Sequence, residues 1–433
     1  MWAGKFESRN TNYWSLMAYL LSYMMFDVFL IIINGFFLLL GTLQLLQTPN
    51  ASFIKKQWKI IYRNESSFIP RRVLILAKVS RYHFEKLREP NLNESELKKR
   101  LIKRGSDYDA LLASHHNDKQ KELATRNVLK DLNIEYKVMD RLSMDRTTID
   151  WADLILPIGG DGTFLFSANL IADNKKPIIG INSSPKSSEG YLMLREKYTR
   201  DIRSIFEFLR AGDYKFLMRS RIRTTLKGEG IWDPTFHMHE KRRIPGEEER
   251  QKTAELPKER RLPWLALNEV FIGESLSART SALEVRLGDD ELSFKVKSCG
   301  LCASTGTGST SWHRAINSLS PQVVNDVLKF ASVKLDPVIK VEDISAEYNK
   351  SLQFPAEDRR MAYTIRDMIV GQTLPSPKGI QPRGYCDKLI IRSHCFDAGL
   401  VLDGGIAVPF NDGTVAVMEI HPEDSLRTIS LPD

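Results

Sequence analysis

Short apolar runs alternate with charged, helix-like segments over residues 71–209, and this alternation limits the fold more than any other feature of the chain. The strand-like runs lie at residues 71–79, 134–139, 153–158 and 176–182, and the helix-like segments at 91–104, 118–131, 164–172 and 199–209. Apolar runs of this length, bounded by turn residues, are typical of strands buried on both faces, as in a parallel sheet. The alternation therefore predicts an open, mostly parallel sheet with helices on its faces.

Beyond about residue 219 the pattern changes to short strand-like runs that are separated by turn residues. These runs lie at 221–226, 266–272, 283–287, 292–296, 361–365, 388–392, 399–402 and 414–420. Turn sequences such as Gly288-Asp289-Asp290 and Asp403-Gly404-Gly405 divide them. We therefore expect an α/β domain at 71–215 and a β-rich domain at 216–433.

Residues 240–261 consist mostly of Lys, Arg and Glu, and they include Pro245 and Pro257. A segment with so few apolar residues cannot bury enough surface to offset the entropy that is lost on ordering it. We expect a solvated, mobile insertion between two strands of the second domain. A docking loop for an acidic partner is the alternative.

The first 50 residues differ from the rest of the chain because they are strongly apolar. Residues 28–47 carry no charge, and as a helix these 20 positions would span about 30 Å, the thickness of a bilayer core. Lys and Arg residues are frequent just after this stretch. If it is a membrane anchor, these charges would keep the remaining chain on the cytosolic or matrix side.

Two other interpretations of the N-terminus compete with an anchor. A signal peptide would have a shorter apolar run and a small-residue cleavage site, and neither is evident. Residues 53–72 are basic and partly amphipathic, with Glu65 as the only acidic residue, and this composition is typical of a mitochondrial presequence. We describe 1–50 as an anchor or extension and 51–70 as a basic linker or presequence-like segment.

The composition excludes several classes of protein. Of the 433 residues 42% are hydrophobic and 27% are charged, which rules out wholesale disorder and a polytopic membrane protein. The net charge of +8 comes from dispersed residues without a recognition motif, so we expect no nucleic-acid partner. Four cysteines are too few for a secreted disulfide scaffold. Cys299 and Cys302 have metal or redox spacing, but Cys386 and Cys395 do not, so we expect buried thiols and no metal site.

The first candidate site is the turn Gly159-Gly160-Asp161-Gly162-Thr163, which joins the strand-like run at 153–158 to a helix. Ligands bind at the carboxyl ends of the strands in open α/β sheets, and a helix N-terminus favours anions. A helix cap alone would explain Asp161 but not the glycines on both sides of it. The glycines indicate a phosphate close to the backbone, with the carboxylate of Asp161 aimed at a substrate hydroxyl or at Mg²⁺.

A second turn rich in glycine and hydroxyl side chains follows at residues 304–312, with the sequence STGTGSTSW. Its backbone N–H groups and hydroxyls could donate to phosphate or ribose, and the ring of Trp312 could stack on a base. A flexible linker is the alternative, but apolar residues on both sides argue against it.

Together these motifs resemble those of the NAD kinases. In that family GGDGT after an apolar strand, a strand similar to KPIIGIN, the pair Asn268-Glu269 and a turn similar to TGTGST occur in this order. The sequence SEGYL after the KPIIGIN strand and the Trp after the second turn resemble the mitochondrial branch. GGDGT alone is shared with diacylglycerol, sphingosine and 6-phosphofructo-kinases. The resemblance extends from about residue 71 to the C-terminus.

The resemblance implies that ATP, or inorganic polyphosphate, phosphorylates the 2′-hydroxyl of the adenosine ribose of NAD to give NADP, with Mg²⁺ beside the phosphates. Asp161 would be catalytic and would take or orient the proton of that hydroxyl. The residues that would bind NAD or ATP are Gly159, Gly160, Gly162, Thr163, Asn268, Glu269, Thr305, Thr307, Gly308, Ser309, Thr310, Ser311, Trp312 and Asp403. We further expect a homodimer on the matrix side of the mitochondrion, or a protein that is anchored through residues 28–47 and faces the cytosol.

Three positions depart from the family pattern, and two other functions compete with the leading one. Gly306 stands where most members have Pro, Trp312 where they have Tyr, and Cys299 where an Asp is common. A lipid kinase that shares GGDGT would suit an apolar N-terminus, but Asn268-Glu269 and the second turn fit a dinucleotide better. A non-catalytic, membrane-anchored nucleotide sensor would have no need of the acid at Asp161.

Overall fold

The computed structural model describes residues 67–144, 146–185, 188–238, 242–243, 256–289, 291–332, 340–371 and 377–432. The helices are α1 (Arg81–Arg88), α2 (Glu94–Lys103), α3 (Tyr108–Asp131), α4 (Arg146–Trp151), α5 (Asp161–Asn169), α6 (Glu196–Arg200), α7 (Ile202–Ala211), α8 (Trp312–Asn317), α9 (Pro321–Phe330) and α10 (Val341–Ser351). The strands are β1 (Arg72–Ala77), β2 (Glu135–Met139), β3 (Leu154–Gly159), β4 (Ile181–Asn182), β5 (Lys215–Arg219), β6 (Ile222–Lys227), β7 (Phe236–His237), β8 (Arg242–Arg243), β9 (Glu259–Arg261), β10 (Glu269–Glu274), β11 (Ser281–Leu287), β12 (Phe294–Ser298), β13 (Gly300–Ser304), β14 (Met361–Arg366), β15 (Arg383–Cys386), β16 (Lys388–Ser393), β17 (Ala398–Leu402), β18 (Ile406–Pro409), β19 (Val415–Ile420) and β20 (Leu426–Ser430). Two short 3-10 helices lie at Thr307–Thr310 and Pro422–Asp424.

The first strands form the predicted parallel sheet, in the order β2-β1-β3-β4. Successive side chains of β1 point to opposite faces, so Val73 and Ile75 join one buried cluster while Leu74 and Leu76 join another. Helices α3 and α7 contribute to the first cluster and α5 to the second. Because both faces are buried, the strands are nearly continuous apolar runs in the sequence. The predicted α/β fold class is confirmed.

The second half of the chain forms the predicted β-rich part, which contains two large sheets. One sheet has the order β15-β14-β13-β10-β17-β18-β7-β8 and the other the order β12-β11-β16-β19-β6-β9. A single buried cluster draws Ile272 and Leu301 from the first sheet and Leu226 and Leu283 from the second. The two sheets therefore share one core, as in a β-sandwich.

The parallel sheet also receives strands from distant parts of the chain. Strand β20 pairs with β5, and Ile178 forms isolated bridges to Ile155 in β3 and to Thr428 in β20. The strand expected at 176–182 is thereby reduced to β4 and one bridge position. Residues 215 and 216, between which we expect the domain boundary, both belong to β5.

The connection between β13 and β14 contains α8, α9 and α10, which the strand pattern did not predict. A local signal for α9 does exist. Ser320 caps this helix by accepting a hydrogen bond from the backbone N–H of Val323, and Pro321 occupies the first turn.

A buried arginine joins the parallel sheet layer to the β-rich part. The guanidinium of Arg221 donates to the backbone carbonyls of Ala168 (3.1 Å), Ile171 (2.6 Å), Asp173 (3.1 Å) and Asp424 (2.6 Å). Its side chain is fully buried, and the desolvation lowers its pKa to about 10. These carbonyls include those at the end of α5, so Arg221 fixes the helix that begins at the first glycine turn.

Part of the predicted insertion at 240–261 belongs to a sheet. Glu259–Arg261 pairs with β6, and the side chain of Arg260 is only 2% exposed, with Nη1 2.7 Å from the carbonyl oxygen of Ile231. Arg260 is therefore buried while Glu259 and Arg261 beside it remain exposed, and a backbone carbonyl satisfies the buried guanidinium. The apolar segment at 28–47 and the basic segment at 53–66 lie outside the described residues. Among the residues that the structure describes, no helix has the length and apolarity needed to cross a membrane.

Candidate active site

The first glycine turn lies at the carboxyl edge of the parallel sheet, between β3 and α5. Asp161 is the first residue of α5, and its half-buried carboxylate accepts hydrogen bonds from the backbone N–H groups of Tyr191 (3.1 Å) and Leu192 (2.9 Å). Asp161 is therefore not the cap of its own helix, whose N-cap is Gly160. An ionised carboxylate offers about four lone-pair positions, so two remain for a substrate hydroxyl or a cation.

The glycines of this turn have different surroundings. A Cβ added at Gly159 would lie 2.3 Å from Oγ1 of Thr163, and one added at Gly160 would lie 3.1 Å from Oγ of Ser188. Gly162 is exposed, and a Cβ there would meet nothing within 4 Å. Close packing inside the protein thus accounts for Gly159, and Gly162 presents open backbone to a ligand.

Asn268 and Glu269 lie at the start of β10, and both are buried. Oδ1 of Asn268 and Oε2 of Glu269 have no hydrogen-bonding partner among the described residues. Buried polar atoms are nearly always paired, so an unpaired atom indicates a ligand or an ordered water at that position. These two oxygens are the strongest structural sign of a ligand-binding pocket in the β-rich part.

The carboxyl group of Glu269 titrates in an unusual range. Burial, together with the nearby charge of Asp403, raises its pKa to about 8, although hydrogen bonds from the hydroxyl of Ser311 and the backbone N–H of Trp312 act in the opposite direction. Glu269 is therefore largely protonated near neutral pH. In that state the carboxyl can donate as well as accept a hydrogen bond.

Asp403, which we expected beside the phosphates, lies against the segment that leads into β10. Its carboxylate accepts backbone N–H groups from Leu267 (2.8 Å), Asn268 (2.7 Å) and Glu269 (3.1 Å), and its own backbone adopts φ +48°. Burial raises the pKa of Asp403 to about 6, against the opposing effect of these three amides. Asp403 therefore holds the Asn268-Glu269 segment in place, and its oxygens are used for that purpose.

Most hydroxyls of the second turn also donate hydrogen bonds to other groups of the protein. Thr305 Oγ1 donates to the carbonyl of Leu267 (2.5 Å), and Ser309 Oγ donates to that of Gly306 (2.6 Å). Thr310 Oγ1 lies 3.4 Å from the carbonyl of Thr307. Each of these hydroxyls has one hydrogen, and a carbonyl of the protein accepts it, so the oxygen lone pairs are what remains for a ligand. Ligand contacts from this turn would come from its backbone and from Thr307, whose oxygen accepts from Arg219 and whose hydroxyl hydrogen remains for a ligand.

Two glycines of this turn are required by close contacts. A Cβ added at Gly308 would lie 2.1 Å from the carbonyl oxygen of Asn268, and one added at Gly306 would lie 1.8 Å from that of Pro355. The second contact explains why this chain has no residue with a side chain where the family pattern has Pro. The ring of Trp312, 45% exposed, packs against Phe271 with the ring centroids 5.3 Å apart.

Arg219 is a candidate site residue that the sequence analysis missed. Its Nη1 donates to Oγ1 of Thr307 (3.2 Å), and Asp161 is close enough to raise its pKa, although burial dominates and lowers the value to about 10. The side chain lines a cavity of about 220 Å³ together with Tyr191 and Leu192, whose amides hold Asp161. Arg219 therefore brings the two glycine turns together. It ends a short strand without any motif, so no local signal identifies it.

The cysteines do not form a metal site in the described part of the chain. Cys302 and Cys395 are buried, Cys299 and Cys386 are half-buried, and all four are free. Burial raises the pKa of Cys302 well above its usual range and that of Cys386 to about 12, so both remain thiols. Among the residues that the structure describes, no group of three or more His, Cys, Asp or Glu side chains is placed to hold a metal ion.

Comparison with known proteins identifies relatives of this chain. The model of the ATP-NAD kinase N-terminal domain matches residues 55–192, which include the first glycine turn. Mitochondrial NAD kinase 2 of Rattus norvegicus is 38% identical over 388 residues, covering 85% of this chain and 89% of the rat protein. The Homo sapiens protein of the same name is 38% identical over 391 residues, covering 85% and 86%.

A solved structure of yeast NADH kinase complexed with NADH matches 85% of each chain, with a TM-score of 0.48 and 11% identity. The sequence identity to the rat and human proteins, over most of both chains, shows that this chain belongs to the NAD kinase family.

Proposed function

We propose that this protein is an NAD kinase that transfers a phosphoryl group from ATP to the 2′-hydroxyl of the adenosine ribose of NAD. The 2′-oxygen attacks the terminal phosphorus, the bond between that phosphorus and the bridging oxygen breaks, and ADP leaves. The hydroxyl proton passes to the carboxylate of Asp161. The products are NADP and ADP.

The observation that carries this proposal is the position of Asp161. Two backbone amides from residues 191–192 fix the carboxylate at the carboxyl edge of the sheet, and free lone pairs remain on its oxygens. A fixed acceptor supplies what phosphoryl transfer needs most, which is orientation of the attacking hydroxyl together with a destination for its proton.

The unpaired oxygens of Asn268 and Glu269 suit the recognition of NAD. The ribose hydroxyls and the amide nitrogen of a dinucleotide are donors that could satisfy both atoms, and a lipid chain would leave them unpaired. This argues against the lipid kinase alternative, which no relative described above supports. The position of Asp161 argues against a sensor without turnover.

Mg²⁺ would accompany the phosphates of the donor. This ion prefers one or two carboxylates together with phosphate oxygens and water, and Asp161 has lone pairs for such a contact. Bound there, Mg²⁺ would neutralise charge on the phosphates. The orientation of the hydroxyl and the acceptance of its proton remain the work of Asp161.

The proposal extends to the location and the assembly of the protein. The rat and human relatives are named mitochondrial, and residues 53–72 have a presequence-like composition, which supports a mitochondrial protein on the matrix side. A homodimer remains part of the proposal. Organelle fractionation with protease protection and light scattering of the purified protein would test these two points.

The proposed activity is tested by incubating the purified protein with Mg-ATP and either NAD, NADH, diacylglycerol or sphingosine. We expect NADP or NADPH with the phosphate on the adenosine 2′-oxygen, identified by ³¹P NMR, and no lipid phosphate. Phosphorylated lipid without NADP would overturn the proposal, and binding of NAD without any product would favour a sensor.

A further inference from the structure

The strand order of the parallel sheet places a crevice beside the first glycine turn, between the loop after β1 and the loop after β3. In the order β2-β1-β3-β4, the chain goes from β1 to β2 on one side of the sheet. On the other side it goes from β3 to β4. The loops that follow β1 and β3 therefore diverge. Ligands of open α/β sheets bind outside the carboxyl ends of the strands at such a switch point. Residues 78–80 form one wall of this crevice, and Gly159-Gly160-Asp161 forms the other.

Lys78 is the first residue after β1, and it lies directly beside the glycine turn. Its backbone N–H donates to the carbonyl of Ile158 (3.0 Å), the residue before the turn. A Cβ added at Gly159 would lie 3.0 Å from Cβ of Lys78. The lysine side chain therefore starts at the edge where the turn begins.

A buried carboxylate fixes the ammonium group of Lys78. Nζ lies 3.3 Å from Oδ2 of Asp118 on α3, and the carboxylate is 6% exposed while the lysine side chain is 33% exposed. Oδ1 of Asp118 accepts the hydroxyl hydrogen of Ser183 (2.5 Å), and the backbone N–H of Ser183 donates to the carbonyl of Gly159 (3.0 Å). The contacts link the loop after β1, helix α3, the loop after β4 and the glycine turn. They hold the partly exposed side chain of Lys78 at the crevice.

A histidine completes the support of this loop without adding a charge. Nδ1 of His115 lies 2.7 Å from Oγ of Ser80, and its ring stacks against that of His83 with centroids 6.1 Å apart. Burial and the neighbouring His83 lower the pKa of His115, which favours the uncharged ring near neutral pH. Lys78 is therefore the cationic group that this arrangement presents to the crevice.

We propose that Lys78 binds the phosphate chain of the phosphoryl donor, with Asp118 as the residue that positions it. This inference rests on the kinase function proposed above and names the residue that would bind the phosphoryl donor. A compact ammonium group with three N–H donors suits a polyanionic phosphoanhydride chain. ATP and inorganic polyphosphate share that chain. A positive charge at the switch point would place the terminal phosphate of the donor next to Asp161. NAD, the phosphoryl acceptor, would then approach from the side of Asn268 and Glu269.

The test compares Lys78→Gln and Lys78→Arg with Lys98→Gln, a matched control whose ammonium pairs with Asp109 (2.9 Å) on the exposed surface. Initial rates are measured with ATP varied and with polyphosphate varied, each at saturating NAD, and then with NAD varied. Binding of tripolyphosphate without NAD is measured by calorimetry for each variant. Thermal unfolding reports whether the variants fold.

We expect Lys78→Gln to raise the KM for ATP, and for polyphosphate if it is a donor, by about ten- to a hundredfold, the usual range for losing a charged hydrogen bond. The KM for NAD should stay within about twofold, and tripolyphosphate binding should weaken in parallel with the donor KM. Lys78→Arg should retain most of the affinity and Lys98→Gln all of it. If the wild type uses both donors and Lys78→Gln raises only the KM for ATP, Lys78 does not recognise the phosphate chain that ATP and polyphosphate share.

Should Lys78→Gln unfold because Asp118 is left unpaired, the double variant Lys78→Gln/Asp118→Asn removes the pair together. An unchanged donor KM in the folded variants, or a rise in the KM for NAD instead, would overturn the inference while leaving the kinase function intact. Absence of NADP formation by the wild type, with tripolyphosphate binding still dependent on Lys78, would overturn the kinase function and leave the anion site intact.

Discussion

The two glycine-rich turns look alike in the sequence, but their surroundings in the structure are very different. In the first turn Gly162 faces open space, and the carboxylate of Asp161 is half-buried with lone pairs to spare. In the second turn Thr305 and Ser309 are fully enclosed, and their hydroxyls donate to backbone carbonyls. The first turn is thus accessible to a ligand, and the second is part of the protein core.

This difference indicates a division of work between the two turns. The accessible turn carries a side chain that can exchange a proton with a substrate. The enclosed turn fixes the backbone beside Asn268 and Glu269 through Thr305, whose N–H donates to the carbonyl of Asn268 and whose hydroxyl donates to that of Leu267. The side chains of Asn268 and Glu269 each keep one unpaired oxygen. Changes at Asp161 and Gly162 should therefore reduce turnover with little loss of stability. Changes in the second should reduce stability and binding.

The largest effect is expected for Asp161→Asn, which keeps the size of the side chain but removes the proton acceptor. Turnover with Mg-ATP and NAD should fall by roughly 10²–10⁴-fold, the usual range for the loss of a general base. The amide oxygen can still accept the N–H of Leu192, so the melting temperature should change little. Initial rates and thermal unfolding of the same preparation measure both quantities. Near-normal turnover would mean that Asp161 only anchors residues 191–192.

Two alanine substitutions, one in each turn, should differ in how much they lower the free energy of unfolding. Gly308→Ala forces a Cβ to within 2.1 Å of the carbonyl oxygen of Asn268, so we expect it to lower the free energy of unfolding by about 3 kcal/mol or more. Gly162→Ala adds a Cβ in open space and should change the free energy of unfolding by less than about 1 kcal/mol. Chemical denaturation of both variants makes the comparison. Equal losses would show that the first turn is packed as tightly as the second.

Titration of Glu269 gives a smaller effect, with a defined sign. In the folded protein this carboxyl keeps its proton up to about pH 8, whereas the ordinary value is 4.5, so unfolding releases a proton between these pH values. Rising pH therefore favours the unfolded chain. Between pH 6 and pH 9 the wild type should lose on the order of 2 kcal/mol of unfolding free energy relative to Glu269→Gln, which cannot titrate. Parallel pH profiles of the two proteins would contradict a buried, protonated Glu269.

The sequence predicted those parts of the molecule that depend on local patterns. The buried strands β1 and β3 appear as apolar runs, and the turn at 159–163 stands out by its glycines. The pairing of β20 with β5 and the bridge at Ile178 could not be foreseen, because distant segments carry no shared local signal. The helices between β13 and β14 were missed because the surrounding strands dominated the pattern, although Ser320 and Pro321 mark the start of one of them.

For the candidate site, the sequence suggested residues but not the hydrogen bonds that their side chains make in the fold. The sequence suggested a place beside a ligand for Asp403 but did not show that three backbone amides donate to its carboxylate. Hydroxyls such as that of Thr305 look like ligand donors until their acceptors are known. Arg219 and Lys78 lie at strand ends without a motif. The direction of a side chain depends on tertiary packing, which composition and spacing do not encode.

The most direct test of the division of work is calorimetric binding of NAD to Asp161→Asn and to Asn268→Ala, without a phosphoryl donor. Asp161→Asn should bind NAD within about twofold of the wild type although its turnover is lost. Asn268→Ala, which removes an unpaired buried oxygen, should weaken binding by about tenfold or more. If Asp161→Asn loses NAD binding to the same extent as Asn268→Ala, the first turn holds the dinucleotide as well, and the separation of catalysis from binding proposed here is contradicted.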